Sequence, residues 1–190
     1  MNPALRSLSL LTVAAFVVAP QTWAQGDKED PSKPGPEHKI LATLEGSFHA
    51  TVKAYFDPTK PPDESTGTME RRMIMGGRFL QERYEGKALG QPFFGMGLTG
   101  YDKTKKKYNA VWVDTMSTSI MNSLGTYDAY KKTFTYLSED FDPFMGKKMK
   151  GRDVLTIVSD KEQHQEMFRS PAEGEGPEMK VLEIKYVRKK

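Results

Sequence analysis

The most suggestive pair of chemical groups stands near the C-terminus, where Tyr186 and Arg188 are separated by one residue. In an extended strand this spacing places both side chains on one face, together with Leu182 and Ile184. An arginine fork beside a tyrosine hydroxyl can bind a carboxylate that has been removed from water. The spacing therefore predicts a head-group site at Tyr186 and Arg188. Two alternatives stay open: Arg188 belongs to the solvated tail, or it is a structural arginine that closes one end of the fold.

Trp112 and Met96 are two further residues that we expect to line a ligand-binding interior. Trp112 follows Ala110 by two positions, a spacing typical of the buried face of a strand. Methionine is flexible and polarisable, and it therefore suits an adaptable apolar cavity as well as a core. Methionine clusters also hold Cu(I), but only Met73 and Met75 are closely spaced. The methionines therefore favour a cavity or a core over a metal site.

Histidine could hold a metal or a haem iron, and the sequence contains His38, His49 and His164. No two of them stand at the spacing of zinc ligands. One axial histidine is enough for haem, which leaves His164 as an alternative candidate. The residues around His164 are strongly polar, so an exposed hairpin is the favoured interpretation. We therefore predict no cofactor.

Carboxylates cluster late in the chain without completing a calcium loop. Glu139, Asp140 and Asp142 precede Gly146. An EF-hand loop needs a further acidic residue two positions after Asp142 and a closing glutamate, and both are missing. This segment is therefore predicted to be a solvated turn.

The segment from Gly95 to Gly100 reads G-x-G-x-x-G, the fingerprint of a dinucleotide-binding turn. That fingerprint needs a helix that opens at the third glycine. Tyr101 and Asp102 follow instead, and they indicate a hairpin turn. We therefore interpret these glycines as places where a strand bends sharply in a barrel.

Composition excludes several classes of partner. A formal net charge of +3 over 190 residues makes no case for nucleic acid or anionic lipid. Cysteine is absent, so a disulfide, a lipid-modified cysteine and a cysteine nucleophile are all excluded. The fold must therefore be stabilised by packing.

Residues 1–24 have the pattern of a secretory signal peptide. Arg6 supplies the positive charge, residues 8–18 form the apolar segment, and Ala24 is the small residue before the cleavage point. The apolar segment is shorter than the ~20 residues that span a bilayer. We therefore expect an exported protein, periplasmic or secreted, that is not inserted in a membrane after processing. Residues 25–36, rich in proline and charge, are predicted to form a disordered leader.

The remaining residues, 37–190, predict one β-barrel domain. Ile40 and Leu44 share the face of one short helix that ends at Gly46. Apolar residues then recur at every second position in about ten short segments. Turns led by aspartate, at Asp102, Asp128 and Asp160, join these segments as in a meander of hairpins.

Several short motifs resemble those of DUF1579, a bacterial family of unknown function placed among the lipocalin-like, or calycin, barrels. These motifs are Gly76-Gly77-Arg78-Phe79-Leu80, Gly100-Tyr101-Asp102, Arg152-Asp153-Val154 and the closing Glu183, Tyr186 and Arg188. The resemblance extends over about residues 36–189, and because its motifs are structural it implies a fold and no activity. Lipocalin-type barrels often open with Gly-x-Trp, whereas this chain carries Phe48 at that place.

These observations predict a single up-and-down antiparallel β-barrel of about ten strands, lipocalin-like, with one short N-terminal helix. The predicted function is non-catalytic binding of a small apolar or amphipathic ligand in the lumen, a carboxylate-bearing molecule included. Two alternatives stay open. One is an enzyme that uses lumen carboxylates such as Asp114 or Glu82 with an arginine, and the other is a filled barrel that acts through its outer surface.

Overall fold

β-Strands dominate the computed structural model of the chain. The part of the chain that the structure describes comprises residues 30–57, 59–142, 146–173 and 176–190. The signal peptide predicted at residues 1–24 and the first residues of the predicted leader lie outside this part, and both stay predictions. No helix among the described residues is long and apolar enough to cross a membrane.

One short helix precedes ten strands that close into a barrel. The elements are α1 (Pro36–Ala42), β1 (Gly46–Ala54), β2 (Asp63–Ile74), β3 (Phe79–Ala88), β4 (Gln91–Asp102), β5 (Lys107–Asp114), β6 (Met121–Asp128), β7 (Thr133–Asp142), β8 (Lys147–Ile157), β9 (Glu162–Pro171) and β10 (Met179–Arg188). Each strand pairs antiparallel with its neighbours in sequence, and β1 pairs with β10 to close the sheet. The predicted ten-stranded up-and-down barrel with one short helix is confirmed.

Tight turns join the strands, and aspartate leads two of them as the sequence predicts. Asp102 Oδ1 accepts hydrogen bonds from the backbone N–H groups of the second and third residues after it, at 2.9 and 3.0 Å. Asp128 does the same in the turn between β6 and β7. In the turn between β8 and β9 the acceptor is Ser159 Oγ instead of Asp160, and the backbone N–H of Lys161 donates to it.

The helix covers one end of the barrel, which we call the closed end. Leu41 and Leu44, from α1 and the turn after it, form one buried cluster with Phe48, Tyr108 and Phe134. The rings of Tyr108 and Phe134 meet edge to face with centroids 5.1 Å apart. Each fully buried large apolar side chain contributes ~1.5–3 kcal/mol to stability. The closed end is therefore the packed core that stabilises the barrel.

Candidate ligand-binding cavity

The opposite end of the barrel, where β1 stops at Ala54 and β3 stops at Ala88, opens into a cavity of about 360 Å³. We call it the open end. Inward-facing side chains from all ten strands line the cavity, and most of its surface is apolar. Cavities of ~300–1,000 Å³ are the size that encloses small ligands.

Glycines on β4 explain why one side of the lumen is not filled. Gly95 and Gly97 face inward, and the ring of Trp112 lies across both of them. A Cβ at Gly95 would collide with that ring, so glycine lets the indole lie flat against the wall. The indole Nε1 donates to Asp114 Oδ2 at 2.9 Å, which fixes the ring in this position. The glycines therefore give Trp112 room, and no helix follows them as a dinucleotide fingerprint would need.

Tyr84 lies flat against the neighbouring part of the wall in the same way. Its hydroxyl covers Gly67 and Gly86, where any Cβ would collide with it. Tyr84 is 6% exposed, and its hydroxyl has no hydrogen-bond partner within the described residues. Burial raises the pKa of Tyr84, so the phenol stays protonated. A buried hydroxyl without a hydrogen-bond partner costs ~1–3 kcal/mol, so the Tyr84 hydroxyl lowers the stability of the fold.

A polar network forms part of the cavity floor, next to the closed end. Arg71, with 1% of its side chain exposed, donates from Nε to Glu82 at 2.7 Å and from Nη1 to Gln163 at 2.6 Å. Its guanidinium also lies 4.5 Å from the ring centroid of Tyr186. The Tyr186 hydroxyl donates to Gln165 at 2.9 Å, and burial raises the pKa of Tyr186. Because these groups bind one another, the floor is stabilised without a ligand.

A second ion pair lies in the cavity wall on β8 and β9. Arg169 Nη1 donates to Asp153 Oδ1 at 2.6 Å. Burial raises the pKa of Asp153, and Arg169 opposes that shift without cancelling it. A carboxyl group with a raised pKa in a cavity marks a candidate functional position.

The chain matches the model of the family described as "Protein of unknown function (DUF1579)" over residues 33–188. It belongs to that family. No curated protein matches the sequence. The barrel is similar to the crystal structure of Rv2717c from M. tuberculosis, with a TM-score of 0.60 and 15% identity, covering 83% of this chain and 100% of that chain.

A second similar structure is the S-type phycobiliprotein lyase CPES from Guillardia theta. The TM-score is 0.54 and the identity 9%, covering 83% of this chain and 94% of that chain. At such low identities both likenesses show a shared fold and carry no activity over to the DUF1579 protein.

The predicted head-group pair is split between the two ends of the DUF1579 barrel. Tyr186 reaches the cavity floor, but Arg188 lies beyond it at the closed end and does not line the cavity. Arg188 Nε donates to Asp160 O at 2.7 Å, and its guanidinium lies 4.8 Å from the Phe48 ring centroid. The structure therefore places Arg188 as a residue that closes the barrel end. Alternation assigned the face of β10 correctly, but it does not show which end of a strand reaches the cavity.

The structure contradicts the prediction that Met96 lines the cavity. Trp112 does line it. Met96 is 47% exposed on the outer face of β4. The reason is that Gly95 and Gly97 take the inward positions beneath Trp112, so the residue between them must face outward.

His164 also faces outward. Gln163 takes the inward position beside it, and the His164 ring contacts Glu162 Oε1 at 2.8 Å on the outer surface. A haem in the lumen would therefore be out of reach of the one histidine that the sequence offers for it.

The metal candidates of the sequence do not converge. Met73 packs against the core, whereas Met75 is exposed in the turn after β2. Glu139, Asp140 and Asp142 belong to strand β7, not to a loop. Throughout the described residues, no three acidic or histidine side chains stand close enough to hold a metal ion.

Arg71 and the Arg169–Asp153 pair are the site residues that sequence reasoning did not select. The signal for Arg71 is its alternation with Met69 and Met73, which face the interior. No local pattern joins Asp153 to Arg169, because they meet only through the register of β8 and β9.

Proposed function

We propose that this DUF1579 protein binds a small, mostly apolar molecule at the open end of its barrel and does not transform it. The observation that carries the proposal is the cavity of about 360 Å³ with a mostly apolar wall. Transfer of apolar surface from water into such a cavity contributes ~25 cal/mol for each Å² buried. The cavity therefore has both the size and the surface chemistry for a small ligand.

The rim of the cavity supports an apolar ligand as well. Phe56, Leu89 and Met116 belong to the cavity lining and are also exposed to the surroundings of the protein. Large exposed apolar side chains at the mouth of a cavity are typical of a binding site. They give an apolar molecule a continuous path from the surface to the interior.

Glu82 and Asp114, the carboxylates that the enzyme alternative names, are held by hydrogen bonds. Glu82 accepts a hydrogen bond from Arg71 at 2.7 Å. Asp114 accepts from the Trp112 indole and from the backbone N–H of Met116, both at 2.9 Å. A general base must be directed at the substrate. Glu82 and Asp114 are directed at protein donors instead, which favours binding over the enzyme alternative that names them.

A fluorescence titration tests this function. Prodan, a small neutral dye, emits at shorter wavelength in apolar surroundings, and we expect a saturable blue shift with the wild-type protein. Ala110→Phe fills the cavity and should abolish the shift, whereas Ala129→Phe makes the same substitution in an exposed turn and should retain it. Native mass spectrometry of protein from its own organism then identifies any retained molecule. Equal titrations of all three proteins, or no saturable shift in the wild type, would contradict cavity binding.

We also propose that the protein acts after export, in the periplasm or outside the cell. The support is the arrangement of Arg6, the apolar residues 8–18 and Ala24 in the sequence. N-terminal sequencing of the protein from the exported fraction should give Gln25 as the first residue. Recovery of residues 1–24 on the accumulated protein would refute this processing.

A further inference from the structure

A polar patch interrupts the apolar cavity wall where β8 meets β9. Arg169 Nη1 donates to Asp153 Oδ1 at 2.6 Å and to the carbonyl oxygen of Phe168 at 2.8 Å. Both charged side chains line the cavity, and they remain 21% and 24% exposed, for Arg169 and Asp153 respectively. Since both face inward, this exposed surface is directed at the cavity and is within reach of a ligand.

The patch keeps donors and an acceptor available. Gly151 is opposite Arg169 in the register, and a Cβ there would approach the guanidinium to 3.0 Å. Glycine therefore lets the guanidinium lie against β8. The hydrogen bonds that Arg169 makes with described residues use only Nη1, and Asp153 receives its bond at Oδ1. Nε and Nη2 of Arg169 can therefore donate to a ligand, and Oδ2 of Asp153 can accept from it.

The charges of the patch select a neutral polar group over an anion. An arginine alone in a cavity would suit a carboxylate. Here Asp153 already neutralises Arg169 at 2.6 Å and would repel a second carboxylate beside it. The other arginine of the cavity, Arg71, is engaged by Glu82 at 2.7 Å and offers no compensation.

We infer that the ligand carries a neutral group with a hydrogen-bond acceptor next to a donor, as in a carboxamide, and that Arg169 and Asp153 bind this group. The acceptor of the ligand faces Arg169, the donor faces Asp153, and the apolar remainder fills the cavity. This inference rests on the proposed function and adds the chemical class of the ligand to it.

A matched series of probes tests the inference in the wild-type protein. Octanamide, methyl octanoate and octanoate share one chain and differ only in the polar group, and displacement of prodan measures the affinity of each. The amide offers an acceptor and a donor, the ester only acceptors, and the anion acceptors with a charge. Two hydrogen bonds in a cavity should make octanamide bind about tenfold more tightly than either of the others.

A double substitution assigns the preference to the patch. Asp153→Leu with Arg169→Met removes both charges together, and such replacement of a buried ion pair is often neutral for stability. We expect this variant to lose the amide preference, so that octanamide and methyl octanoate bind it with similar affinity. Arg152→Met with Glu178→Leu removes a pair exposed on the outside of the barrel and should keep the preference.

The outcomes separate the inference from the proposed function. If no probe displaces prodan from the wild type, both fail. If the three probes bind equally, if octanoate binds most tightly, or if the amide preference survives Asp153→Leu with Arg169→Met, cavity binding stands and the inference is overturned.

Discussion

At the closed end of the barrel the inward positions carry large rings such as Phe48 and Phe134, which are fully buried. Toward the open end, neighbouring inward positions of β4, β5 and β6 carry the smaller residues Thr99, Ala110 and Ser123, which line a cavity of about 360 Å³. The same strands form both ends, with the same alternation of inward and outward residues. The comparison teaches that side-chain size along the inward face decides which end of the barrel is core and which end can hold a ligand.

The polar floor of the cavity lies between the packed rings of the closed end and the open end. Arg71 donates hydrogen bonds to Glu82 and to Gln163 between the packed rings and the cavity. A buried arginine without such partners would cost several kcal/mol. With its partners bound, the floor remains stable whether or not the cavity is occupied.

Removal of one aromatic ring from each end should give the largest difference between them. Phe134→Ala leaves a hole among Tyr108, Tyr127 and Tyr136, and should lower the free energy of unfolding by about 3–5 kcal/mol. Phe93→Ala enlarges a space that already exists, and should cost about 1–2 kcal/mol. Urea denaturation measures both changes, and equal losses would show that the two ends are packed alike.

A larger side chain should destabilise the packed core more than the wall of the cavity. Ala50 is buried in the core, and Ala50→Phe should destabilise the protein by about 1–3 kcal/mol through overpacking. Ala110 faces the cavity, so Ala110→Phe should leave the free energy of unfolding nearly unchanged. Thermal and urea denaturation of the two variants provide the check. A large loss at Ala110 would mean that the open end has no room for a ligand.

Tyr84→Phe should stabilise the protein by up to about 1 kcal/mol, because it removes a buried hydroxyl without a partner among the described residues. Tyr108→Phe is the matched control. The Tyr108 hydroxyl donates to Glu37 O at 3.2 Å, and its loss should cost about 0.5–1.5 kcal/mol. The free energies of unfolding of the two variants should therefore change in opposite directions. Destabilisation by Tyr84→Phe would show that its hydroxyl has a partner in solution.

The smallest expected effect is a pH dependence at the closed end. Burial, followed by the nearby Lys103, lowers the pKa of His38, whose Nδ1 accepts a hydrogen bond from the backbone N–H of Gly35. The unfolded chain takes up this proton near pH ~6.5, before the folded protein does. The stability that neutral His38 contributes is therefore present above that pH and is lost as the pH falls through the folded-state pKa.

Urea denaturation at a series of pH values measures this loss. His38→Gln should remove the step between neutral and mildly acidic pH, whereas His49→Gln, at an exposed position on β1, should retain it. An unchanged profile in His38→Gln would assign the step to another group.

The fold can be predicted from the sequence because the alternation of apolar residues and the aspartate-led turns are local signals. Alternation correctly places Tyr186 and Trp112 inside, and the turn residue Asp102 ends β4 as expected. Closure into a barrel is predicted from Gly95, Gly97 and Gly100, because glycine lets a strand bend sharply.

The candidate site was less predictable because it depends on contacts between strands. The ring of Trp112, from the next strand, lies against Gly95 and Gly97 on the inner face of β4. Met96, between these two glycines, therefore faces outward. Arg188 is excluded from the cavity because the large rings occupy that end of the barrel. Asp153 and Arg169 meet through the pairing of β8 with β9, which no spacing in the sequence reveals.

A pair of single-tryptophan proteins tests most directly whether the ligand binds at the open end alone. The sequence has two tryptophans, and the proposed processing at Ala24 removes Trp23, so the mature protein keeps Trp112 as its reporter in the cavity wall. Addition of Trp112→Phe and Phe48→Trp moves the reporter to the closed end. A brominated octanamide, whose bromine quenches tryptophan at short range, should quench Trp112 saturably and leave the tryptophan at position 48 unaffected. Equal quenching of both reporters, or quenching of Trp112 that never saturates, would contradict a ligand-binding cavity at the open end.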